Sequence, residues 1–183
     1  EVIDDCARAR EHWGILAIPG IELTHLPPQA IPEAAQLAKE LGAWLVLVHG
    51  ETIIEPVEKG SNLAAVTCPH VDILAHPGLL TKEEAQMAGA NGVFIEISAR
   101  SGHSLTNGHI LKVAHETGCQ LLLGSDAHQG EELLSETLAF EVIRGAGLNR
   151  TEADQVLEAN PQGLLKRLSS KLPFAIPMHP PRE

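Results

Sequence analysis

Short apolar runs that each stop at a chemically active side chain constrain this chain more than any other feature. Residues 44–49 (Trp-Leu-Val-Leu-Val-His), 71–76, 92–98 and 119–124 read as strands buried on both faces, and residues 15–22, interrupted by Pro19-Gly20, read as another. Their ends carry Glu22, His49, His76, Ser98, and then Asp126 with His128. Asp126 and His128 stand two residues apart, so on an extended backbone both side chains leave the same side. Helical patterns separate the runs. Residues 28–41 keep helical spacing and close at Gly42, Thr81 and Glu84 form a capping box for a helix ending near Gly89, and residues 108–117 stop at Gly118. One helical turn is expected at 62–66, an opening helix precedes Gly14, and further helices are expected at about 131–146, 151–159 and 161–170.

Strands alternating with helices imply an α/β fold with a parallel sheet and right-handed crossovers. In such folds ligands gather at the carboxyl ends of the strands. Glu, His, His and Asp/His at successive strand ends are all metal-ligand types. Any one of them alone reads as a structural side chain, and His12, His70, His109, His115 and His179 are read that way. Together they form a constellation, and the turn at Pro77-Gly78 leaves His76 at the rim.

Composition narrows the chemistry. A net charge of −11 disfavours a surface for phosphate backbones, and 3% aromatic content with no Tyr disfavours stacking on bases, so no nucleic-acid partner is expected. Cys6, Cys68 and Cys119 lie far apart, which suits a reducing, cytoplasmic setting rather than a disulfide framework. No apolar run approaches the roughly 20 residues that cross a bilayer, and no membrane partner is expected.

In order and spacing, Gly20-Ile21-Glu22, Val48-His49-Gly50, Ala75-His76-Pro77-Gly78, Glu96-Ile97-Ser98 and Gly124-Ser125-Asp126-Ala127-His128 resemble the PHP (polymerase and histidinol phosphatase) family, over about residues 1–170. The resemblance implies a distorted seven-stranded β/α, TIM-like barrel with up to three divalent ions (Zn, Mn or Fe), hydrolysing small phosphomonoesters by a metal-activated hydroxide. By position it makes Glu22, His49, His76, Asp126 and His128 metal ligands, with Glu22 bridging two ions and Asp126 and His128 in the catalytic role. Arg100, His103, Asn107 and His25, at the same rim, are the candidate substrate contacts.

Family members open with an H-x-H strand and a second His-bearing strand, and neither appears here. Residues 1–172 are therefore expected to form a barrel domain incomplete at its front, with an N-terminal segment or a second chain completing it. By itself the chain is then expected to hydrolyse phosphate esters poorly. Residues 173–183 form a proline-rich tail expected to be flexible. Two alternatives stay open: a catalytically impaired remnant or metal-binding subunit, and an amidohydrolase-like C–N hydrolase, which would need a Lys at a strand end.

Overall fold

The structure, a computed structural model, describes residues 1–169; the tail expected over 173–183 lies outside the described residues. The helices are α1 (Val2–Trp13), α2 (Ile31–Glu40), α3 (Ser61–Thr67), α4 (Lys82–Asn91), α5 (Asn107–Thr117), α6 (Glu136–Ala146), α7 (Arg150–Asp154) and α8 (Asn160–Ser169). The strands are β1 (Gly20–Leu23), β2 (Leu45–His49), β3 (Ile73–Ala75), β4 (Phe94–Ser98) and β5 (Leu121–Gly124). Each strand pairs with the next in parallel, giving one sheet in the order β1-β2-β3-β4-β5. This is the parallel α/β sheet that the alternating pattern implies.

Register sorts the side chains. Glu22 lies opposite Leu47, His49 opposite Ala75, Glu96 opposite Leu122, and Ser98 opposite Gly124. With a period of two, Val46, Val48, Leu74, Ile95 and Ile97 face the helices, where they meet Ile31 and Ala35 of α2, Ala65 of α3, Ala85 and Ala88 of α4, and Ile110 of α5. Burying one such Leu, Ile or Val contributes about 1.5–3 kcal/mol. On the opposite face Leu45, Leu47, Ile73, Phe94 and Leu122 pack with Leu164 and Leu168 of α8. That face is thus apolar toward the amino ends of the strands, leaving Glu22, His49 and Glu96 toward the carboxyl ends.

Three departures from the expected elements have local causes. The run over 15–22 forms a strand only from Gly20, because Pro19 has no N–H to give; its carbonyl instead accepts from Trp44 N at 2.9 Å. The helix expected from 131 starts at Glu136, capped by Ser135, after a 3-10 turn at Gly130–Glu132. The two helices expected at 151–159 and 161–170 are joined by a π-helical turn at Gln155–Ala159, just before Pro161, which cannot continue an α-helical hydrogen-bond ladder. The three cysteines are free thiols, and among the described residues no helix is long and apolar enough to cross a membrane.

Candidate metal centre

Three imidazoles converge at the carboxyl ends of the strands. His49 is the last residue of β2, His76 follows β3, and His103 opens a 3-10 turn (His103–Thr106) after β4. All three are buried, and one ring nitrogen of each lies within 4.8 Å of the others. The His76 and His103 rings stack at 4.1 Å between centroids, while His49 meets His76 edge-on at 4.4 Å. His76 adopts φ 30, a left-handed conformation that costs a non-glycine residue energy and turns its ring back over the sheet.

Each ring spends Nδ1 on the protein and turns Nε2 toward acidic side chains. His49 Nδ1 lies 2.9 Å from the Gly50 carbonyl, His76 Nδ1 lies 2.8 Å from Glu96 Oε2, and His103 Nδ1 lies 2.9 Å from Thr52 Oγ1. Carbonyl and carboxylate oxygens only accept, so Nδ1 of His49 and of His76 carries the proton. On the other side, His76 Nε2 is 3.5 Å from Glu22 Oε1, and His103 Nε2 is 3.6 Å from Asp126 Oδ2. Nε2 of both His49 and His103 lies 3.8 Å from Glu55 Oε2. Among the described residues, His76 Nε2 is the buried side-chain polar atom with no hydrogen-bond partner. A buried, unsatisfied imidazole nitrogen among two further imidazoles and a carboxylate is a donor set suited to a divalent cation.

The electrostatics fit the same picture. Burial holds the His49 and His103 rings below their usual range, with the His76 charge adding to the effect. Burial also opposes charge on His76, but the Glu96 hydrogen bond and the Glu96 and Glu22 charges together outweigh it and raise its pKa. Glu22 is raised by burial, reinforced by the Glu96 and Asp126 carboxylates. Glu22 therefore resists ionisation, and His49 and His103 resist protonation, in the metal-free chain, and a cation beside them would favour the carboxylate and the neutral rings that bind it.

The remaining sequence-predicted residues are placed as follows. Asp126, at φ 49, reaches the cluster through His103 and also meets Arg100, whose Nε is 3.4 Å from its Oδ2. Arg100 Nη1 donates to the Asp126 carbonyl at 2.7 Å and touches His128 Nδ1. The His128 ring is itself largely exposed, and its backbone N–H donates to Glu132. His25 stands above His49, with ring centroids 6.2 Å apart and Nε2 3.8 Å from Glu55 Oε1. Asn107 is committed to the sheet: its amide accepts from Ser98 N at 3.1 Å and donates to Ser98 O at 2.8 Å. Two residues, Glu96 and Thr52, join the site without having been assigned a place in it, and Glu55, expected in the loop after His49 as a solvated or supporting group rather than a catalytic one, joins them. Glu96 and Thr52 hold the His76 and His103 rings, and Glu55 bridges the solvent side. Only Glu96 left a signal in sequence, as a carboxylate inside the apolar run Phe94-Ile95-Glu96-Ile97.

No family model matches the sequence. It is, however, 44% identical over 173 residues to the uncharacterized protein MJ1295 of Methanocaldococcus jannaschii, covering 92% of this chain and 79% of that one. The chain belongs to the family of that archaeal protein. More distant relatives of this family member are named probable phosphatases. One from Shewanella halifaxensis is 29% identical over 136 residues, and one from Thermoanaerobacter pseudethanolicus is 29% identical over 154. The chain spans 53% and 62% of their respective lengths. In fold it is similar to a chain in the cryo-EM structure of archaeal Ribonuclease P with mature tRNA, with TM-score 0.74 and 15% identity over 99% of this chain and 84% of that one.

Proposed function

We propose that this protein is a metal-dependent phosphoesterase acting on small phosphomonoesters, with the PHP-type assignment of its ligands. The observation that carries the reading is the unpartnered, buried His76 Nε2 facing Glu22 beside His49 and His103. The names of the distant relatives support the phosphatase class. In this reading the five parallel strands belong to a seven-stranded β/α barrel. His49, His76 and Glu22 hold one ion, His103 joins them, and Asp126 and His128 serve further ions of the cluster.

When bound, such an ion polarises a phosphoryl oxygen and makes water a stronger nucleophile at neutral pH. The rest of the chemistry belongs to the chain. Arg100, anchored through Nε and Nη1 on Asp126, offers the positive charge of its guanidinium at the rim to phosphate oxygens. His128, whose Nδ1 meets Arg100, stands exposed at the outer edge of the site, where a substrate would enter. Burial of His49, His76 and His103 keeps bulk water from the inner side of the site. A chain of net charge −11 suits a small anion drawn to a local cation better than a nucleic-acid backbone, so the RNA-bound setting of the structural neighbour is not carried over.

The test is phosphate release from an aryl phosphate by the protein together with any sequence its gene encodes ahead of Glu1, loaded with Zn²⁺ or Mn²⁺. Metal-dependent release that disappears in His76→Ala is expected. A folded, metal-replete protein inert toward aryl phosphate and a panel of phosphomonoesters would overturn the reading.

A further inference from the structure

We propose that Glu96 is the positioning residue of this site, a clamp that fixes both backbone and ring of His76 so that Nε2 is presented to a divalent cation. The proposal rests on the reading of His76 as a metal ligand. Glu96 lies within β4 on the polar half of the sheet face and is only 6% exposed. A carboxylate so desolvated needs partners, and the sheet supplies none to a side chain. Its Oε2 accepts two hydrogen bonds from one residue: His76 N at 2.8 Å and His76 Nδ1 at 2.8 Å. The backbone bond holds a residue that stands at φ 30 just beyond the end of β3. The ring bond fixes the proton on Nδ1 and leaves the Nε2 lone pair facing Glu22, which is how an acidic partner orients a metal-bound imidazole.

The neighbouring strand is shaped to admit this carboxylate. At Gly124 a Cβ would fall 1.7 Å from Glu96 Oε1 and 2.7 Å from its Cδ, so any larger residue would displace Glu96 from His76. The glycine that ends β5 thereby serves a histidine two strands away. A Glu–His pair kept only for stability would give no reason to bury the second ring nitrogen without a partner, as His76 Nε2 is buried here.

The test combines Zn²⁺ affinity, measured by chelator competition, with imidazole ¹⁵N spectra of the metal-free protein at alkaline pH. It compares the unaltered protein with Glu96→Ala, Glu96→Gln and Gly124→Ala, and melting curves report folding. Glu96→Ala and Gly124→Ala are expected to weaken Zn²⁺ binding about 10–100-fold, and Glu96→Gln less, since its amide oxygen can still accept. The His76 signals should change from one fixed tautomer to a mixture in Glu96→Ala. A lower melting temperature with unchanged Zn²⁺ affinity and unchanged tautomer would show a merely structural role and overturn the proposal. Should Glu96→Ala not fold, Glu96→Gln and Gly124→Ala give the decision. Failure of the unaltered protein to bind Zn²⁺ would sink the metal reading itself. The clamp would then stand or fall on the ¹⁵N spectra, an unchanged His76 tautomer in the variants overturning it.

Discussion

Buried charge occurs at both ends of this sheet, and the two ends treat it differently. At the amino ends, Asp72 precedes β3 almost fully buried, and the chain itself closes every demand it makes. Its Oδ2 accepts from Lys39 Nζ of α2 at 2.5 Å and from Val46 N of β2 at 2.9 Å, while Oδ1 lies 3.3 Å from Arg167 Nη2 of α8. At the carboxyl ends, Glu22, Glu96, Asp126 and three buried imidazoles crowd together, and His76 Nε2 is left without a partner. Both clusters tie elements together, but only one is finished. Polarity used for architecture is satisfied internally, and the polarity left open lies where three buried imidazoles could hold a metal ion.

The largest contrast comes from breaking each end in turn. His76→Ala should weaken Zn²⁺ binding by more than the roughly 100-fold typical of losing an indirect partner, as measured by chelator competition, and should also lower the melting temperature, since it leaves a cavity and takes the ring N–H from buried Glu96. Asp72→Ala should lower the melting temperature without loss of metal. Leaving Lys39 with only the Trp44 carbonyl and Val46 N without its acceptor costs about 3–5 kcal/mol, seen as a drop of roughly 6–20 °C in melting temperature, with Zn²⁺ affinity unchanged. If both variants lost metal and stability together, the two ends would not be independent.

A smaller effect is expected from pH in the metal-free protein. His49 and His103 are held below the ordinary value of 6.5, so the stability they contribute is present above that pH and is lost as pH falls through their depressed folded values. His76 is raised, so its contribution is full below 6.5 and is lost as pH rises through its folded value. Melting curves with chelator, from pH 7.5 to 5.5, should therefore fall less steeply in His49→Gln than in the unaltered protein, and more steeply in His76→Gln. Equal slopes would contradict these directions.

How far this was legible in the sequence follows the same division. Apolar runs and their polar stops reveal the strands and place Glu22, His49 and His76 at one rim, because burial on both faces imposes a composition that local pattern shows. The bonds that complete the site join residues distant in sequence. Thr52 to His103 crosses from the loop after β2 to the turn after β4, and Glu96 to His76 spans two strands. Neither has a period to read. His103 is expected at the rim as a substrate contact, and nothing local in the sequence says that the turn after Gly102 folds its ring inward beside His49 and His76. Asn107 stood in a polar loop, where no pattern shows an amide spent on Ser98. Gly124 read only as the end of a strand, since the side chain that requires it sits on the neighbouring strand.

The smallest expected effect lies away from both ends. His115 and Glu152 form an exposed pair at 2.7 Å, joining α5 to α7. His115→Ala should change stability by less than about 1 kcal/mol and leave Zn²⁺ affinity untouched, in keeping with a structural histidine. A loss of metal in this variant would place a binding site where none of the geometry points.

The most direct measurement is anomalous diffraction at the zinc edge from crystals of the Zn²⁺-loaded protein. A peak is predicted at the carboxyl ends of β2 and β3, in coordinating distance of Nε2 of His49 and of His76 and of the Glu22 carboxylate. No peak, or one bound only by exposed surface residues, would contradict the reading of this end of the sheet as a metal centre.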